Sequence, residues 1–389
     1  MSDLEESSGS ADARAEAGPA FFATAAKGTE GALRDELREL RVPRVRADRG
    51  GVHFGGRLED AMRVCFESRI ALRVLWRRGS FAAHDAEALY EGVRALDLSD
   101  VLEPNRSLSV VATVKHGGLT HSGFVAQKTK DALVDAQRAR FGGRSNVERD
   151  DPDVRVVVHI ARDQADLFVD LAGESLHRRG YRAEAREAPI KETLAAAMLR
   201  LAGWDRKRPL IDPMCGSGTI AIEAALWARQ IAPGLLRRPY GFQRWVSFEE
   251  PRYKDALIDI RERAKARVLP ASAAPSIMAL DCDGLAVNLA RKLTAKAGVG
   301  VHVERLDVVD FMGTEPPGHI VTNPPYGVRI SRGEDFETRL ARALKPLKGH
   351  RVSAICHDRK LAQAMHKAPS QEHALWNGDL ECRLYSWEL

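Results

Sequence analysis

The feature that most constrains this chain is a regular alternation of short apolar runs and amphipathic stretches that begins at Leu210. Leu210-Ile211, Ile277–Leu280, Val301–Arg305 and His319–Thr322 read as strands, with helices expected over Thr219–Arg229 and Ala286–Ala297. Parallel neighbours must be joined by a crossover over the sheet face, and this rhythm supplies a helix for two of the three connections. The expected fold of this half is α/β, a parallel sheet whose ligands lie beyond the carboxyl ends of its strands.

The preceding half has a different order. Phe21–Ala25, Val42–Val45, Gly51–Phe54 and Ala71–Leu75 read as strands around helices Thr29–Leu40 and Leu58–Glu67, the β-α-β-β-α-β order of an α+β ferredoxin-like unit. A second α+β block follows, with helices at Ala86–Ala95 and His121–Arg140 and strands at Leu108–Val114, Val154–Ile160 and Leu167–Leu171. Charge is unevenly spread over the 389 residues: 59 Lys and Arg against 54 Asp and Glu give +5. Residues 1–19 hold five acids and one base, too little apolar material to order itself, and are expected to form a disordered tail. Residues 20–80 carry +5, residues 81–180 carry −3 and residues 181–270 carry +6, so two basic segments flank an acidic middle. A polyanionic partner is compatible with that balance.

Several classes are set aside. The apolar runs are strand-sized, well short of the ~18 residues of a membrane span. The first 19 residues lack the basic start and apolar core of a secretory signal. Five scattered cysteines without a C-x-x-C pair, and histidines without ligand spacing, argue against a disulfide framework or a metal site. A reducing, cytoplasmic setting is the expectation.

The chemistry concentrates at strand ends. Leu210-Ile211 runs into Asp212-Pro213-Met214-Cys215-Gly216-Ser217-Gly218-Thr219, an acid, a glycine turn and the start of a helix. Gly216 and Gly218 can take positive φ and let a ligand approach the backbone. No phosphate loop of the G-x-x-x-x-G-K-[ST] type is present. The next strands also end near acids, Asp281 and Asp307. Aligned acids suit the sulfonium, amine and ribose hydroxyls of S-adenosylmethionine and would repel a phosphate-bearing cofactor. Helix capping by Asp281, Asp283 and Asp307 is the competing reading.

The fourth strand delivers Asn323-Pro324-Pro325-Tyr326. Two prolines remove amide donors and leave carbonyl acceptors, and Asn323 adds a side-chain oxygen. An exocyclic amine on an aromatic base is a poor nucleophile because its lone pair is delocalised into the ring. Two acceptors on its hydrogens would aim that lone pair at a methyl group, with Tyr326 as a stacking face. Cys215 and Cys282 read as small residues beside the site. The stretch Arg237-Arg238 to Arg244-Trp245 reads equally as an RNA contact or as a solvated face around a packed tryptophan.

Together, Asp212–Thr219 and Asn323–Tyr326 resemble class I S-adenosylmethionine-dependent methyltransferases acting on exocyclic amines of bases. From Phe21 onward the chain is similar to THUMP-domain RNA guanine-N2 methyltransferases of the RlmL type, which modify 23S ribosomal RNA. The matching segments are Phe21–Glu30, Gly173–Arg182, Ala188–Ala195, Ala232-Pro233-Gly234 and Asn377-Gly378. The resemblance implies four regions: an acidic tail at 1–19, a ferredoxin-like domain at 20–78, a THUMP RNA-binding domain at 79–175 and a Rossmann-like methyltransferase domain at 176–389. It implies that Asp212, Pro213, Cys215, Gly216, Ser217, Gly218 and Thr219 line the methionine end of the cofactor, that Asp281 takes the ribose and that Asp307 faces the adenine. Asn323 and the Pro324 carbonyl would hold the guanine amine, with Pro325 and Tyr326 completing the catalytic segment. Some relatives of this type continue into a second methyltransferase domain, whose activity is not expected of residues 1–389. The family's Asp-x-Asp-Pro is here Asp281-Cys282-Asp283-Gly284, so Asp283 is given no role. RNA contacts are expected at Lys128, Lys130, Arg138, Arg140 and Arg144 and on the flanking basic segments. The implied partner is 23S ribosomal RNA or a ribosomal precursor; transfer RNA, adenine-N6 methylation and a non-catalytic assembly factor are the alternatives.

Overall fold

The computed structural model describes residues 20–182, 190–237, 239–325 and 336–389. The expected tail, Tyr326 and Arg238 lie outside the described residues. Two seven-stranded sheets organise the rest.

The front sheet contains β1 (Phe21–Thr24), β2 (Arg46–Asp48), β3 (Gly51–Phe54), β4 (Arg73–Ala82), β5 (Leu108–Lys115), β6 (Val154–Ala161) and β7 (Gln164–Asp170), in the order β2-β3-β1-β4-β7-β6-β5. Helices α1 (Glu30–Glu39), α2 (Leu58–Glu67), α3 (Ala86–Arg94) and α4 (Ser122–Phe141) bury their apolar sides in one core with the inward residues of these strands. Strand β4 pairs with β1 through its first four residues and with β7 from Leu75 onward, with a bulge between Arg77 and Gly79. The two front units therefore share one sheet, and the boundary expected at residue 78 falls inside β4. The strand expected at Val42–Val45 is instead a turn followed by β2. Pro43 has no amide to donate, and Arg44 sits at φ 54°.

The rear sheet contains β8 (Leu210–Asp212), β9 (Ile277–Asp281), β10 (His302–Arg305), β11 (His319–Thr322), β12 (Arg351–Cys356), β13 (Gln371–Asn377) and β14 (Leu380–Glu388), in the order β10-β9-β8-β11-β12-β14-β13. All pairings from β10 to β12 are parallel, and only β14 runs antiparallel to its two neighbours. Its helices are α5 (Glu192–Leu201), α6 (Thr219–Ala228), α7 (Pro251–Ala266), α8 (Gly284–Ala297), α9 (Phe336–Leu344) and α10 (Lys360–Ala364). The chain runs outward from β8 to β10, then returns to start again at β11 beside β8. That reversal opens a crevice at the carboxyl ends of β8 and β11.

The segment between α6 and β9 does not stay with its own sheet. Tyr240, Phe242, Trp245, Tyr253, Ile260 and Ala264 join the front core, and Trp245 stacks on Trp76 at 6.1 Å between centroids. Arg237 is buried and donates to the carbonyls of Ala172, Glu174 and Ser175 at 3.3, 2.9 and 3.2 Å. Arg244 donates to both carboxylate oxygens of Asp151 at 2.9 Å. This stretch is therefore a joint between the halves, which decides against the RNA-contact reading of Arg237 and Arg244. The Lys27-Gly28 turn meets the rear sheet as well: a Cβ on Gly28 would lie 2.1 Å from the Ala374 carbonyl. Deleting residues 1–183 should expose those six core residues, so the remainder is expected to aggregate; a monodisperse, cooperatively melting fragment on size exclusion would contradict the shared core.

Candidate active site

Strand β8 is fully buried, and Asp212 at its end is 1% exposed. The Thr322 hydroxyl donates to Asp212 Oδ1 at 2.9 Å and the Met214 amide at 3.4 Å, tying the ends of β8 and β11 together. Burial pushes the Asp212 carboxyl up to about 7; its two hydrogen bonds act in the opposite direction, and the Asp281 charge adds to the rise.

The turn after β8 is held from β9. The Cys215 amide donates to the Leu280 carbonyl and the Gly216 amide to Asp281 Oδ2, both at 2.8 Å. Asp281 Oδ1 accepts from the Asp283 amide at 3.0 Å. Gly216 and Gly218 both have positive φ, 51° and 77°. They differ in what a side chain would meet. A Cβ on Gly216 would find nothing within 4 Å, whereas one on Gly218 would sit 3.2 Å from the Ala290 Cβ of α8. Of the two, Gly216 has open space where a side chain would stand; at Gly218 the positive φ and the nearby Ala290 of α8 both favour a bare backbone. Cys215 is buried, its thiol pushed up by that burial, while Cys282 is exposed.

Two acids also do local work. Asp283 caps α8 by accepting from the Leu285 amide at 2.9 Å, and Asp307 caps a short turn by accepting from the Val309 amide at 3.1 Å. Strand order nevertheless brings the ends that carry Asp307, Asp281, Asp212 and Asn323 side by side as β10, β9, β8 and β11. Asn323 is half-buried and Pro324 buried. The Asn323 Oδ1 atom is itself buried, and no hydrogen-bond donor reaches it among the described residues. A small recess on the β12 side is lined by Pro324, Pro325, Leu340, Ile355, His357 and Asp358, among others.

The sequence reading missed Thr322 and Arg182. Arg182 donates to the Ser217 hydroxyl at 3.4 Å and to the Thr219 hydroxyl, and pairs with the buried Glu192 at 3.3 Å. It thereby ties the segment after β7 to the first turn of α6. The only signal was its place at the end of Gly173–Arg182, since its partners lie 35 and 37 residues away. Among the described residues, no three His, Cys, Asp or Glu side chains form a metal-holding group, and no helix is long and apolar enough to cross a membrane.

Family models match in three blocks: an RlmL ferredoxin-like domain over residues 20–75, a THUMP domain over 83–170 and an RMKL-like methyltransferase domain over 179–386. The chain is 41% identical over 95% of its length to ribosomal RNA large subunit methyltransferase K/L of Methylococcus capsulatus, and it spans about half (51%) of that longer protein. It is 34% identical to a Synechocystis protein provisionally named an RNA methyltransferase, covering 95% of this chain and 96% of that one. A provisionally assigned methyltransferase solved with S-adenosylhomocysteine is 28% identical, with a TM-score of 0.84 over 95% of this chain and 97% of that one. With its methyltransferase block, the crevice at the ends of β8 and β11 and the two front domains all accounted for, the chain belongs to the RMKL-like methyltransferase family, in the arrangement that carries RlmL ferredoxin-like and THUMP domains ahead of the catalytic sheet.

Proposed function

We propose that this chain methylates the exocyclic N2 amine of a guanine in structured RNA, with 23S ribosomal RNA or its precursor as substrate, in the cytoplasm. The observation that carries the reading is the buried Asn323 Oδ1 at the end of β11, unpartnered among the described residues and one strand from the Asp212–Gly216 turn. Leaving a buried acceptor unsatisfied costs about 1–3 kcal/mol, a cost that makes sense where a substrate amine supplies the missing donor.

The cofactor is S-adenosylmethionine, and the residues present fit it: open space over Gly216, Asp281 at the end of β9 and Asp307 just past β10, while Arg305, which ends β10, donates its Nε to the Cys282 carbonyl at 3.0 Å. When bound, it supplies an electrophilic methyl group carried on a sulfonium. Asp281 takes the ribose hydroxyls and Asp307 the adenine amine. Asp212, Pro213, Cys215, Gly216, Ser217, Gly218 and Thr219 form the wall at the methionine end. Within that wall Gly216 provides the opening, and the Cys215 amide is already spent on Leu280. The target base leaves its stack and enters beside Pro324. Asn323 Oδ1 and the Pro324 carbonyl accept the two amine hydrogens, so the nitrogen lone pair is turned toward the cofactor. Pro325 fixes the backbone, and Tyr326 provides the stacking face. The methylated ammonium is acidic and gives up its proton without a dedicated strong base.

The deciding experiment incubates the protein with methyl-labelled cofactor and separated RNA pools, followed by nucleoside analysis. N2-methylguanosine in ribosomal RNA is expected. Label in transfer RNA would move the substrate, N6-methyladenosine would move the base, and no incorporation in any pool would sink the enzymatic reading.

Asp212 adds a pH dependence. A cationic cofactor favours the ionised carboxylate, so below about 7 binding must expel a proton. Cofactor affinity should rise with pH up to about 7 and level off above it, and Asp212→Asn should flatten the profile. Stability without ligand runs the other way. A carboxyl raised above its unfolded value of about 3.9 contributes stability at low pH that is lost as pH rises through about 7. Calorimetric titration across that range checks both signs.

A further inference from the structure

The bases nominated on the THUMP helices are largely engaged locally. Lys128 lies over the Tyr90 ring at 4.4 Å, Lys130 pairs with Asp131, Arg138 with Asp135 and Arg140 with Asp97. The charges of Lys130, Arg138 and Arg140 are already matched by acids on the same surface, consistent with the net −3 of residues 81–180.

The opposite side of the front sheet is different. All four of its helices pack on one face. Register places Arg46, His53, Phe22, Leu75 and Asp170 in one row across the other face, with Arg155 and Ser109 beside it. The next row is Arg77, Phe168, Val157 and Val111. Leu75 and Phe168 are buried yet lie outside the helix-side core. Arg77 and Arg155 on this face are each half-buried. Phe22 rests against His53, with ring centroids 4.7 Å apart. Asp170 is claimed by Arg73. Among the described residues, no carboxylate comes within ion-pair distance of Arg77 or Arg155, and the Arg155 Nε is buried without a hydrogen-bond partner.

We propose that this helix-free face of the front sheet, centred on Arg77 and Arg155, is the surface that grips the phosphate backbone of the RNA substrate. The inference rests on RNA being the substrate, as argued above. A guanidinium matches a phosphate with two parallel hydrogen bonds, and an aromatic beside it offers a platform for an unstacked base. The bases on this face also weaken one another. Burial, then the Arg73 charge, lowers the Arg155 guanidinium against the opposing pull of Asp170 and Asp151, and burial, then Arg46, lowers His53 although Asp48 pairs with both Arg46 and His53, at 3.6 and 3.3 Å. A polyanion relieves that repulsion.

The test uses the full-length chain and a fluorescently labelled transcript of a 23S ribosomal RNA hairpin, with anisotropy measured across a salt series. Removing one arginine–phosphate pair takes roughly 0.7–0.9 from the slope of log affinity against log salt. R77Q/R155Q should lose about 1.4–1.8 slope units and bind at least about tenfold more weakly at moderate salt. R77K/R155K should keep the slope, and K128Q/R138Q/R140Q on the helix side should change it far less. S-adenosylhomocysteine affinity should stay unchanged in all three. An unchanged slope in R77Q/R155Q, or an equal loss in the helix-side variant, overturns the proposal. If the double variant fails to fold, R77Q and R155Q singly decide it, each expected to lower the slope by about 0.7–0.9. Absence of salt-dependent RNA binding by the unaltered chain would overturn the RNA reading itself, a result distinct from failure of this face.

Discussion

Asn323→Ala should slow methyl transfer, measured in a single turnover, by roughly two to three orders of magnitude, the scale of losing one preorganised polar group at a reacting centre. Among the described residues Asn323 Oδ1 has no hydrogen-bond partner, so the substitution removes none of the hydrogen bonds they make to it. Thermal stability should stay level or rise slightly, because a buried acceptor without a donor is a liability until the substrate arrives. Cofactor and RNA affinities should change little. Asn323→Asp keeps an oxygen acceptor and should retain part of the rate, while placing a charge near the amine. A single-turnover rate for Asn323→Ala within about threefold of the unaltered protein would end the aiming role, since even tenfold is only ~1.4 kcal/mol.

Asp281→Ala should weaken S-adenosylhomocysteine binding by at least about tenfold, from the loss of charge-assisted bonds worth roughly 1.5–3 kcal/mol each. The structure adds a second cause. Asp281 accepts the Gly216 amide at 2.8 Å and the Asp283 amide at 3.0 Å, so its carboxylate also braces the glycine turn. Asp281→Asn keeps one acceptor oxygen and should fall between the two. RNA affinity should be spared, because the hydrogen-bond partners of Asp281 among the described residues, Gly216, Asp283 and Leu306, all belong to the rear half. Calorimetric titration showing unchanged cofactor affinity in Asp281→Ala would remove the ribose assignment.

What could be read in advance was local. A buried three-residue strand, an acid and two glycines declare a strand-to-helix turn by themselves, and acids recurring at strand ends align once the strands are parallel. Two kinds of information were not local. The first is what a residue touches far along the chain. Thr322 bonds Asp212 across 110 positions, and Gly218 lies against Ala290, 72 positions on. The second is which half a segment serves. Helix α7 has only Tyr253, Ile260 and Ala264 buried, a stripe too thin to stand out among its charged residues, and nothing in it announces that the stripe belongs to the other sheet. Val42–Val45 misled for a simpler reason, because β-branched residues suggested a strand where Pro43 and Arg44 impose a turn.

The loan of residues 240–264 to the front core bears on how the chain matures as it leaves the ribosome. The front sheet is complete once β7 ends at Asp170, yet Trp245 and Ala264 are still unsynthesised. At about 5–20 residues per second, roughly 90 further residues take on the order of 5–20 s to appear. During that interval the ring of Trp76 and the apolar side of α2 lack their cover. The nascent front half is thus an open half-core awaiting a distant segment, and it can close before any rear-sheet strand beyond β8 has been made.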